Sequence, residues 1–249
     1  MKILGCRKCR PTGRALAERL EASYIEESAR TNEDEVIIRY GNGYSHDFGN
    51  IINKQEAVAL SSNKPLCKRK LLENGIRTPK YYTFEEARSY LSNPGKKLVV
   101  RRNGHSQGRW FYVVENPRQL SRYDPNRHYV QELVDKIDEY RLFIMKDRII
   151  EADLKEPPAN DPHAMIRNHT HGSFFRWVRV SSLDQDLKNM VRRAVKDVVC
   201  LDFAAVDCAT IQLADGRTSS TIFEINSAPG LIDRKLDLFT EKLHELYAI

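Results

Sequence analysis

The spacing of apolar residues predicts that the first part of the chain alternates strands with a helix. Short apolar runs at residues 2–5 and 36–38 predict two strands, and apolar residues at helical spacing after Thr12 predict a helix between them. Residues 40–50 are rich in Gly and Asn and predict a loop. Residues 1–60 are therefore expected to form a small α/β unit.

The next predicted element is a helix that is recognised by its two ends. Asn63 is a favourable N-terminal cap, and Gly75 is a favourable residue just beyond the C-terminus. Three leucines are expected to face inward: Leu66, Leu71 and Leu72. The basic residues are expected to form a solvated face: Lys64, Lys68, Arg69 and Lys70.

From residue 97 onward the pattern is dominated by strands that pair as hairpins. Alternating or continuous apolar runs with turn residues between them predict hairpins over 97–116, 140–154 and 203–226. An amphipathic helix is predicted over 184–199, and a second one closes the chain. Residues 155–173 show little periodicity, and a loop of that length in a compact domain is usually functional or disordered.

Length and composition exclude several classes of protein. The chain has 249 residues, of which 41% are hydrophobic and 30% charged, so a disordered chain is excluded and one or two domains with a real core are expected. No apolar run approaches the roughly 20 residues of a membrane span. The N-terminus lacks the apolar region of a signal peptide, and five scattered cysteines make no disulfide framework. We therefore expect no membrane partner and a cytoplasmic, reducing location.

The charge balance is modestly basic. Forty Lys and Arg against 34 Asp and Glu give a formal charge of +6 and a pI of about 9.0. Phosphate neutralisation by such residues supports nucleic-acid binding, but here the positive charges are dispersed and interleaved with apolar positions. A dedicated nucleic-acid module is therefore disfavoured, and it is kept as an alternative.

Three oxygen-bearing side chains near the C-terminus form the strongest candidate site. Asp207 lies on the first strand of the hairpin over 203–226, and Glu224 and Asn226 lie on the second. Residues i and i+2 of a strand share a face, so one register brings all three together. Two carboxylates and an amide oxygen are ligands suited to Mg²⁺. The alternative is an edge strand on which Glu224 and Asn226 face solvent.

Two further segments are individually weak signals. VVRRNGHSQG, residues 99–108, joins an apolar strand and a cation to a flexible turn whose backbone N–H groups can hold phosphate. The alternative is an ordinary hairpin turn. YVQELVD, residues 129–135, is an apolar strand interrupted by Gln and Glu, which is typical of a hinge with exposed backbone polar groups.

Taken in order, these pieces and three others resemble the motifs of one family. The other three are NKPLCKRKLLENGIRTPKYY at 63–82, YRLFIMKDRIIEADLK at 140–155, and the pair LDFAAVD and FEINSAPGL around Asp207 and Glu224. The ordered set resembles the ATP-grasp superfamily over roughly residues 63–231. The closest likeness is to carboxylate–amine ligases typified by ribosomal-protein glutamate ligases and D-alanine ligases.

The resemblance implies an α/β (α+β) chain with the ATP-grasp fold and a short N-terminal α/β pre-grasp unit. It divides the chain into three segments. These are a pre-grasp unit over 1–62, a central and lid subdomain over 63–134, and a C-terminal catalytic subdomain over 135–249.

The resemblance also implies roles for individual residues. The residues expected to bind ATP are Lys64, Arg101, Ser106, Gln107, Gly108, Gln131, Glu132, Leu133, Asp135, Asp138 and Lys155. The residues expected to bind the metal are Asp207, Glu224 and Asn226. The residues expected to act on the reacting groups are Arg141, Arg167 and Asn168.

Two departures from the family pattern concern the substrates. The phosphate-loop cation is Arg101 where the family usually has Lys, and a planar guanidinium holds phosphate in a different pose from an ammonium. The N-terminal unit is short for the family, in which it normally helps to bind the carboxylate. The identity of the acid and of the amine is therefore left open.

The implied function is an amide-forming or peptide-forming ligation that uses ATP with Mg²⁺ or Mn²⁺. A carboxylate would attack the γ-phosphate to give an acyl phosphate and ADP, and an amine would then displace phosphate. The acceptor could be a small molecule, a peptide or a protein tail. The alternatives are an ATP-grasp kinase of small molecules and a basic nucleic-acid-binding protein, and a homo-oligomer is left open.

Two smaller signals each have a non-functional alternative. Cys6 and Cys9 have the spacing of a zinc half-site or a redox pair, but no second pair follows at zinc-site spacing. His169 and His171 lie close to Arg167 in the long loop, where either could contact substrate or simply be a surface histidine.

Overall fold

The structure is a computed structural model that describes residues 1–26, 35–43, 50–104, 109–161, 164–167, 171–213 and 215–248. These residues form three sheets with helices packed on them, so the predicted α/β class is confirmed. The sheets are called the N-terminal, lid and central sheets below.

The N-terminal sheet has four parallel strands in the order β2-β1-β3-β4. The strands are β1 Lys2–Leu4, β2 Ser23–Ile25, β3 Val36–Arg39 and β4 Asn50–Ile52. A 3-10 helix, Arg7–Cys9, runs directly into α1, Arg10–Arg19. The strands predicted at 2–5 and 36–38 and the helix between them are thus present, with the helix beginning two residues earlier than expected.

Two helices follow, α2 at Gln55–Ser62 and α3 at Lys64–Glu73. Of these, α2 was not predicted. The predicted cap of α3 is confirmed, because Asn63 Oδ1 accepts a hydrogen bond from the Leu66 N–H at 3.3 Å. Gly75, with φ +69°, follows the end of α3 in the left-handed region that favours glycine.

The predicted inward face of α3 was partly wrong. Leu71 is buried as expected, but Leu66 and Leu72 are 39% and 42% exposed. Cys67 and Lys68 are buried instead, so the expectation that Lys68 belongs to a solvated face is also wrong. The reason is that the buried face of α3 meets the polar cavity wall as well as the apolar core, and apolar spacing alone does not reveal a polar neighbour.

The lid sheet is antiparallel, with the order β5-β8-β6-β7. Its strands are β5 Tyr81–Tyr82, β6 Leu98–Arg102, β7 Phe111–Val114 and β8 His128–Glu132. Helices α4, Phe84–Leu91, and α5, Pro117–Leu120, cover one face around Leu98, Val100 and Val130. Helix α4 was not predicted, although Thr83 and Glu86 form a capping box at its start.

The central sheet is antiparallel, with the order β11-β10-β9-β12-β13. Its strands are β9 Lys136–Met145, β10 Arg148–Glu156, β11 Phe174–Trp177, β12 Phe203–Gln212 and β13 Thr218–Asn226. Two predicted hairpins, β9-β10 and β12-β13, are confirmed. The predicted helix over 184–199 is α6, Gln185–Arg193, continued as a π-helix over Ala194–Val199, and α7, Arg234–Tyr247, closes the chain.

Each face of the central sheet has its own apolar core. Leu142, Ile144 and Val206 face a cluster with α2, α3 and α6, whereas Phe143 and Phe203 face the N-terminal unit and α7. Because side chains alternate along a strand, the second face continues beyond its apolar part into the polar residues of β9 and β12. Those polar residues form the floor of the candidate site.

In the described part of the chain, none of the helices combines the length and the apolar character that crossing a bilayer requires.

Candidate active site

A cavity of about 880 Å³ opens where the three sheets meet. A cavity of this size holds a ligand as large as a nucleotide. Its described lining includes four acidic residues: Glu132, Glu139, Asp207 and Glu224. It also includes eight cationic residues: Lys8, Lys64, Lys68, Arg101, Lys136, Arg141, Lys155 and Arg167. The excess of positive charge favours an anionic ligand.

Most of the residues predicted from the sequence are brought together in this lining. Those that line the cavity are Lys64, Arg101, Gln131, Glu132, Leu133, Arg141, Lys155, Arg167, Asp207, Glu224 and Asn226. Asp135 is exposed and Asp138 accepts a hydrogen bond from the Tyr140 hydroxyl at 3.3 Å, and neither is among the lining residues. Ser106, Gln107, Gly108, Asn168 and His169 lie outside the described residues.

The floor of the cavity is a network of ion pairs on β9, β10 and β12. The Arg141 guanidinium donates to both carboxylate oxygens of Asp207, from Nε and Nη2, each at 2.8 Å. Lys155 Nζ lies 2.9 Å from Asp207 Oδ1 and 2.9 Å from Glu139 Oε1. Lys136 also donates to Glu139. We call these five residues the Asp207 network.

The network follows from strand register. Arg141 on β9 is the direct cross-strand partner of Asp207 on β12, and Glu139 lies two residues before Arg141 on the same face. Lys155 on β10 extends over the same face from the other side of β9. Antiparallel pairing therefore places opposite charges side by side, which stabilises groups that would be costly to bury singly.

Neighbouring charges outweigh burial in setting the pKa values of Arg141, Lys155 and Asp207. Burial would lower the pKa of Arg141, but the adjacent Asp207 carboxylate raises it above its usual value. Burial would likewise lower the pKa of Lys155, but Asp207 and Glu139 raise it. Burial would raise the pKa of Asp207, but Arg141 and Lys155 hold it well below its usual range. All three groups are therefore charged at neutral pH.

The three predicted metal ligands lie together beside this network. Glu224 on β13 is the cross-strand partner of Asp207, and Asn226, two residues further, is paired with Ala205. Although β13 is an edge strand, Glu224 is half-buried and lines the cavity. Its carboxylate lies 3.0 Å from Lys64 Nζ.

This donor set fits a divalent cation that is bound together with a ligand. Two carboxylates and one amide oxygen are the hard donors that Mg²⁺ takes, with water or phosphate oxygens completing its six positions. In the described part of the chain, no group of three or more His, Cys, Asp and Glu residues forms a metal site of its own. Two carboxylates and one amide oxygen suit a metal whose remaining ligands come from water or phosphate.

The lid side of the cavity holds its cations differently. Lys68 Nζ donates to the neutral Gln131 Oε1 at 3.0 Å and lies over the Tyr81 ring at 5.4 Å from its centroid. Burial lowers the pKa of Lys68 to about 7. Burial also lowers the pKa of Arg101, which packs over Phe111. Both cations would be stabilised by an anion in the cavity.

Lys68, Lys136 and Glu139 are polar lining residues that were not predicted from the sequence. Lys68 lies one helical turn after Lys64, so the i,i+4 spacing was an available signal. Glu139 lies two residues before Arg141 and therefore on the same face of β9, and this spacing was also visible in the sequence. Nothing in the local sequence identified Lys136, because its role depends on Glu139 and on the Met165 carbonyl, to which it donates at 2.9 Å.

Solved structures similar to this one belong to ATP-grasp ligases. D-alanine–D-alanine ligase from Bacillus anthracis matches with 15% identity and a TM-score of 0.68, over 98% of this chain and 91% of that one. PsnB, an ATP-grasp ligase solved with minimal precursor, Mg and ADP, matches with 13% identity and a TM-score of 0.66, over 98% and 96%.

A third similar structure is a macrocyclase. MdnC from Microcystis aeruginosa MRC, bound with the precursor peptide MdnA, matches with 13% identity and a TM-score of 0.61, over 98% of this chain and 99% of that one. No protein-family model matches the chain, and no curated protein matches its sequence. At these identities the likeness concerns the fold alone, and it agrees with the order of motifs in the sequence: this chain has the ATP-grasp fold.

Proposed function

We propose that this chain is an ATP- and Mg²⁺-dependent carboxylate–amine ligase. It forms an amide or peptide bond through an acyl phosphate and releases ADP and phosphate. The observation that carries this proposal is the cationic cavity built around the Asp207 network within an ATP-grasp fold. A carboxylate and a triphosphate repel each other, so their reaction needs fixed positive charge more than it needs a nucleophilic side chain.

The nucleotide would lie between the lid sheet and the central sheet. Lys64, Arg101 and Lys155, all in the cavity lining, are assigned to the phosphates. The backbone of Gln131, Glu132 and Leu133 is assigned to the adenine. The remaining nucleotide contacts stay predictions of the family resemblance: Ser106, Gln107, Gly108, Asp135 and Asp138.

Asp207, Glu224 and Asn226 would hold Mg²⁺. When bound, the ion supplies positive charge to the phosphate oxygens and fixes their orientation. Glu224 is only half-buried where it pairs with Lys64, so the pair can rearrange when phosphate is bound and Lys64 finds a new anion. Asp207 keeps its carboxylate aligned through Arg141 and Lys155.

The reacting groups would meet above Arg141. In the first step a substrate carboxylate oxygen attacks the γ-phosphorus and ADP leaves. In the second step the amine nitrogen attacks the acyl carbon, phosphate leaves, and the nitrogen gives up one proton to the departing phosphate or to solvent. Arg141 would stabilise the developing charge. Arg167, whose Nη1 lies 3.5 Å from the Lys155 carbonyl oxygen, and Asn168 would contact the transferred phosphoryl group and substrate.

The structural neighbours suggest where to look for substrates. PsnB and MdnC are each solved with a precursor peptide, and the D-alanine ligase acts on an amino acid, as its name states. We therefore include both free amino acids and peptides carrying acidic or amino side chains among the candidate substrates.

An ADP-release assay with mass spectrometry of the products tests the proposal. Purified protein is given ATP, Mg²⁺ and pools of carboxylates, amines and peptides, singly and in pairs. Release of ADP only when an acid and an amine are both present, with a condensed product, supports a ligase. Release with one acceptor alone and a stable phosphorylated product would identify a kinase instead. The absence of ATP-dependent product in every pool, together with salt-dependent binding of nucleic acid, would favour the non-catalytic alternative.

A further inference from the structure

Two cysteines lie in the cavity wall, at the end formed by the N-terminal unit. Cys6 directly precedes the 3-10 helix Arg7–Cys9, Cys9 is its last residue, and both cysteines line the cavity. Their Sγ atoms are 3.2 Å apart. The Cys6 N–H donates to Cys9 Sγ at 2.9 Å, so the backbone holds the two sulfurs in contact.

The pair lies close to the loop that follows Asn226. A β-carbon added at Gly41 would meet Ala228 Cβ at 2.8 Å, Cys9 Sγ at 3.6 Å and Cys6 Sγ at 3.8 Å. Gly41 also has φ +75°, so both space and conformation favour glycine there. Gly41 is therefore adjacent both to the two sulfurs and to Ala228, which lies two residues after the candidate metal ligand Asn226.

The two thiols have opposite chemical character. Hydrogen bonding from the Cys9 thiol lowers the pKa of Cys6 to about 6, with further help from the Cys9 and Lys8 backbone and the Lys8 charge. The same interaction raises the pKa of Cys9, whose Sγ also lies 2.9 Å from the Tyr40 carbonyl oxygen. Cys6 thus has the character of an attacking thiolate, and Cys9 that of a proton-bearing second thiol.

We propose that Cys6 and Cys9 form a reversible dithiol–disulfide couple in the cavity wall, with low-molecular-weight disulfides as the oxidant. The Cys6 thiolate attacks one sulfur of the disulfide RSSR, forming a mixed disulfide and releasing RS⁻, which takes up a proton. Cys9 then loses its proton, its sulfur attacks Cys6 Sγ, and the second RS⁻ leaves and is protonated. Two protein thiols are oxidised to one disulfide, and RSSR is reduced to two RSH.

The geometry requires little movement for this reaction. The sulfurs must approach from 3.2 Å to about 2.0 Å. The other three cysteines differ in their surroundings. Cys67 and Cys208 are buried, and burial raises the pKa of both thiols, whereas Cys200 is exposed and lies outside the described cavity lining. The couple is therefore specific to the two cysteines that share a wall with the candidate active site.

The proposal does not depend on ligase activity, and its test does not require turnover. The full chain, reduced and then freed of reductant, is mixed with oxidised glutathione and followed by intact mass. We expect the protein to lose two hydrogens in mass, and dithiothreitol to restore them. Trypsin cuts after Arg7 and Lys8, so the disulfide appears as two linked peptides containing Cys6 and Cys9. We also expect Cys6 to react about tenfold faster than a free thiol at about pH 6.5.

Matched variants assign the two roles. Cys9→Ser should stop at a mixed disulfide of Cys6 with glutathione, and Cys6→Ser should lose the fast reaction. Cys200→Ser, which changes an exposed thiol outside the cavity, should react as the wild type does. Glutathione added only at Cys200, or equal behaviour of Cys6→Ser and wild type, would overturn the proposal. Because peptide mapping reads the wild-type chain directly, a variant that misfolds does not prevent the test.

Discussion

On the central-sheet side of the cavity, Arg141 and Lys155 have carboxylate oxygens at 2.8 and 2.9 Å, whereas on the lid side Lys68 is held by a neutral amide. The carboxylates raise the pKa values of the first pair against the effect of burial, and burial lowers those of Lys68 and Arg101. The difference separates two functions of buried charge. The paired cations hold the architecture of the floor, and the lid cations are stabilised further when an anion enters.

The largest effect on stability and turnover is expected when the Asp207 network is disrupted. Asp207→Asn leaves Arg141 and Lys155 without their shared carboxylate in a buried position. Removing one partner of a buried ion pair costs about 3–5 kcal/mol. Urea unfolding should therefore show a free energy of unfolding lower by about that amount, together with lost ATP turnover. Asp215→Asn, which alters an exposed pair with Arg217, is the matched control and should leave the unfolding midpoint unchanged. A midpoint for Asp207→Asn equal to the control would contradict the structural role of the network.

A substitution at Glu224 tests the metal assignment without disrupting the Asp207 network. Glu224 is half-buried, and its partner Lys64 also lines the cavity. Glu224→Gln keeps the shape and removes one negative ligand, so we expect ATP turnover to fall by about 100-fold or more and stability to change by less than about 1 kcal/mol. The measurement is initial rate against Mg²⁺ concentration. Near-normal turnover with an unchanged Mg²⁺ requirement would remove Glu224 from the metal site.

The lid side is tested by the pH dependence of stability. The pKa of Lys68 is about 7 in the folded protein and about 10.4 when unfolded. Between these two pKa values the unfolded chain holds a proton on Lys68 that the folded chain has lost. The free energy of unfolding therefore rises with pH from about pH 7 to about pH 10.4. Below about pH 7 both states hold the proton, and the effect of Lys68 on stability no longer changes with pH. Nearby Glu224 opposes the shift, and Arg101 and Lys64 add to it. The Lys68→Met variant has no titrating group at this position, so its stability should not show this rise with pH.

Urea unfolding of both proteins at several pH values, from about 7 to about 10, makes this measurement. The advantage of Lys68→Met over wild type should be largest near neutral pH and shrink as pH rises. Parallel stability curves would show that Lys68 is not a buried, neutralised cation. The same variant should also weaken ATP binding, by about tenfold in KM, if the lid side holds the nucleotide.

The smallest effect is expected for a charge pair on the outside of the lid sheet. Lys97 and Glu115 form an ion pair at 2.6 Å, with both side chains about half exposed, 50% and 52%. Exposed pairs contribute at most about 1 kcal/mol. Lys97→Ala should therefore change both the turnover rate and the unfolding midpoint only slightly. A large decrease in either would mean that exposed ion pairs matter as much as buried ones in this molecule.

Much of the site could be predicted because it is local in sequence. Glu224 and Asn226 share a face by strand periodicity, and the order of motifs along the chain indicates the ATP-grasp fold. The bounds of the three segments, 1–62, 63–134 and 135–249, and the individual roles of the site residues stay predictions. The prediction was wrong where a helix packs against a polar surface. The apolar spacing of α3 predicted that Leu66 and Leu72 are buried, but both are exposed and Lys68 is buried instead.

Most elements, the hairpins and the residue types that can bind phosphate and metal follow from the sequence alone, because they depend on short-range periodicity and side-chain chemistry. Which charges meet depends on the tertiary structure. Arg141 and Asp207 are 66 residues apart and become partners through the β9-β12 register, and Cys6 and Cys9 lie in the cavity wall where Gly41 meets Ala228. Whether a buried cation has a carboxylate beside it is a property of register and packing between distant segments, and no local pattern encodes it.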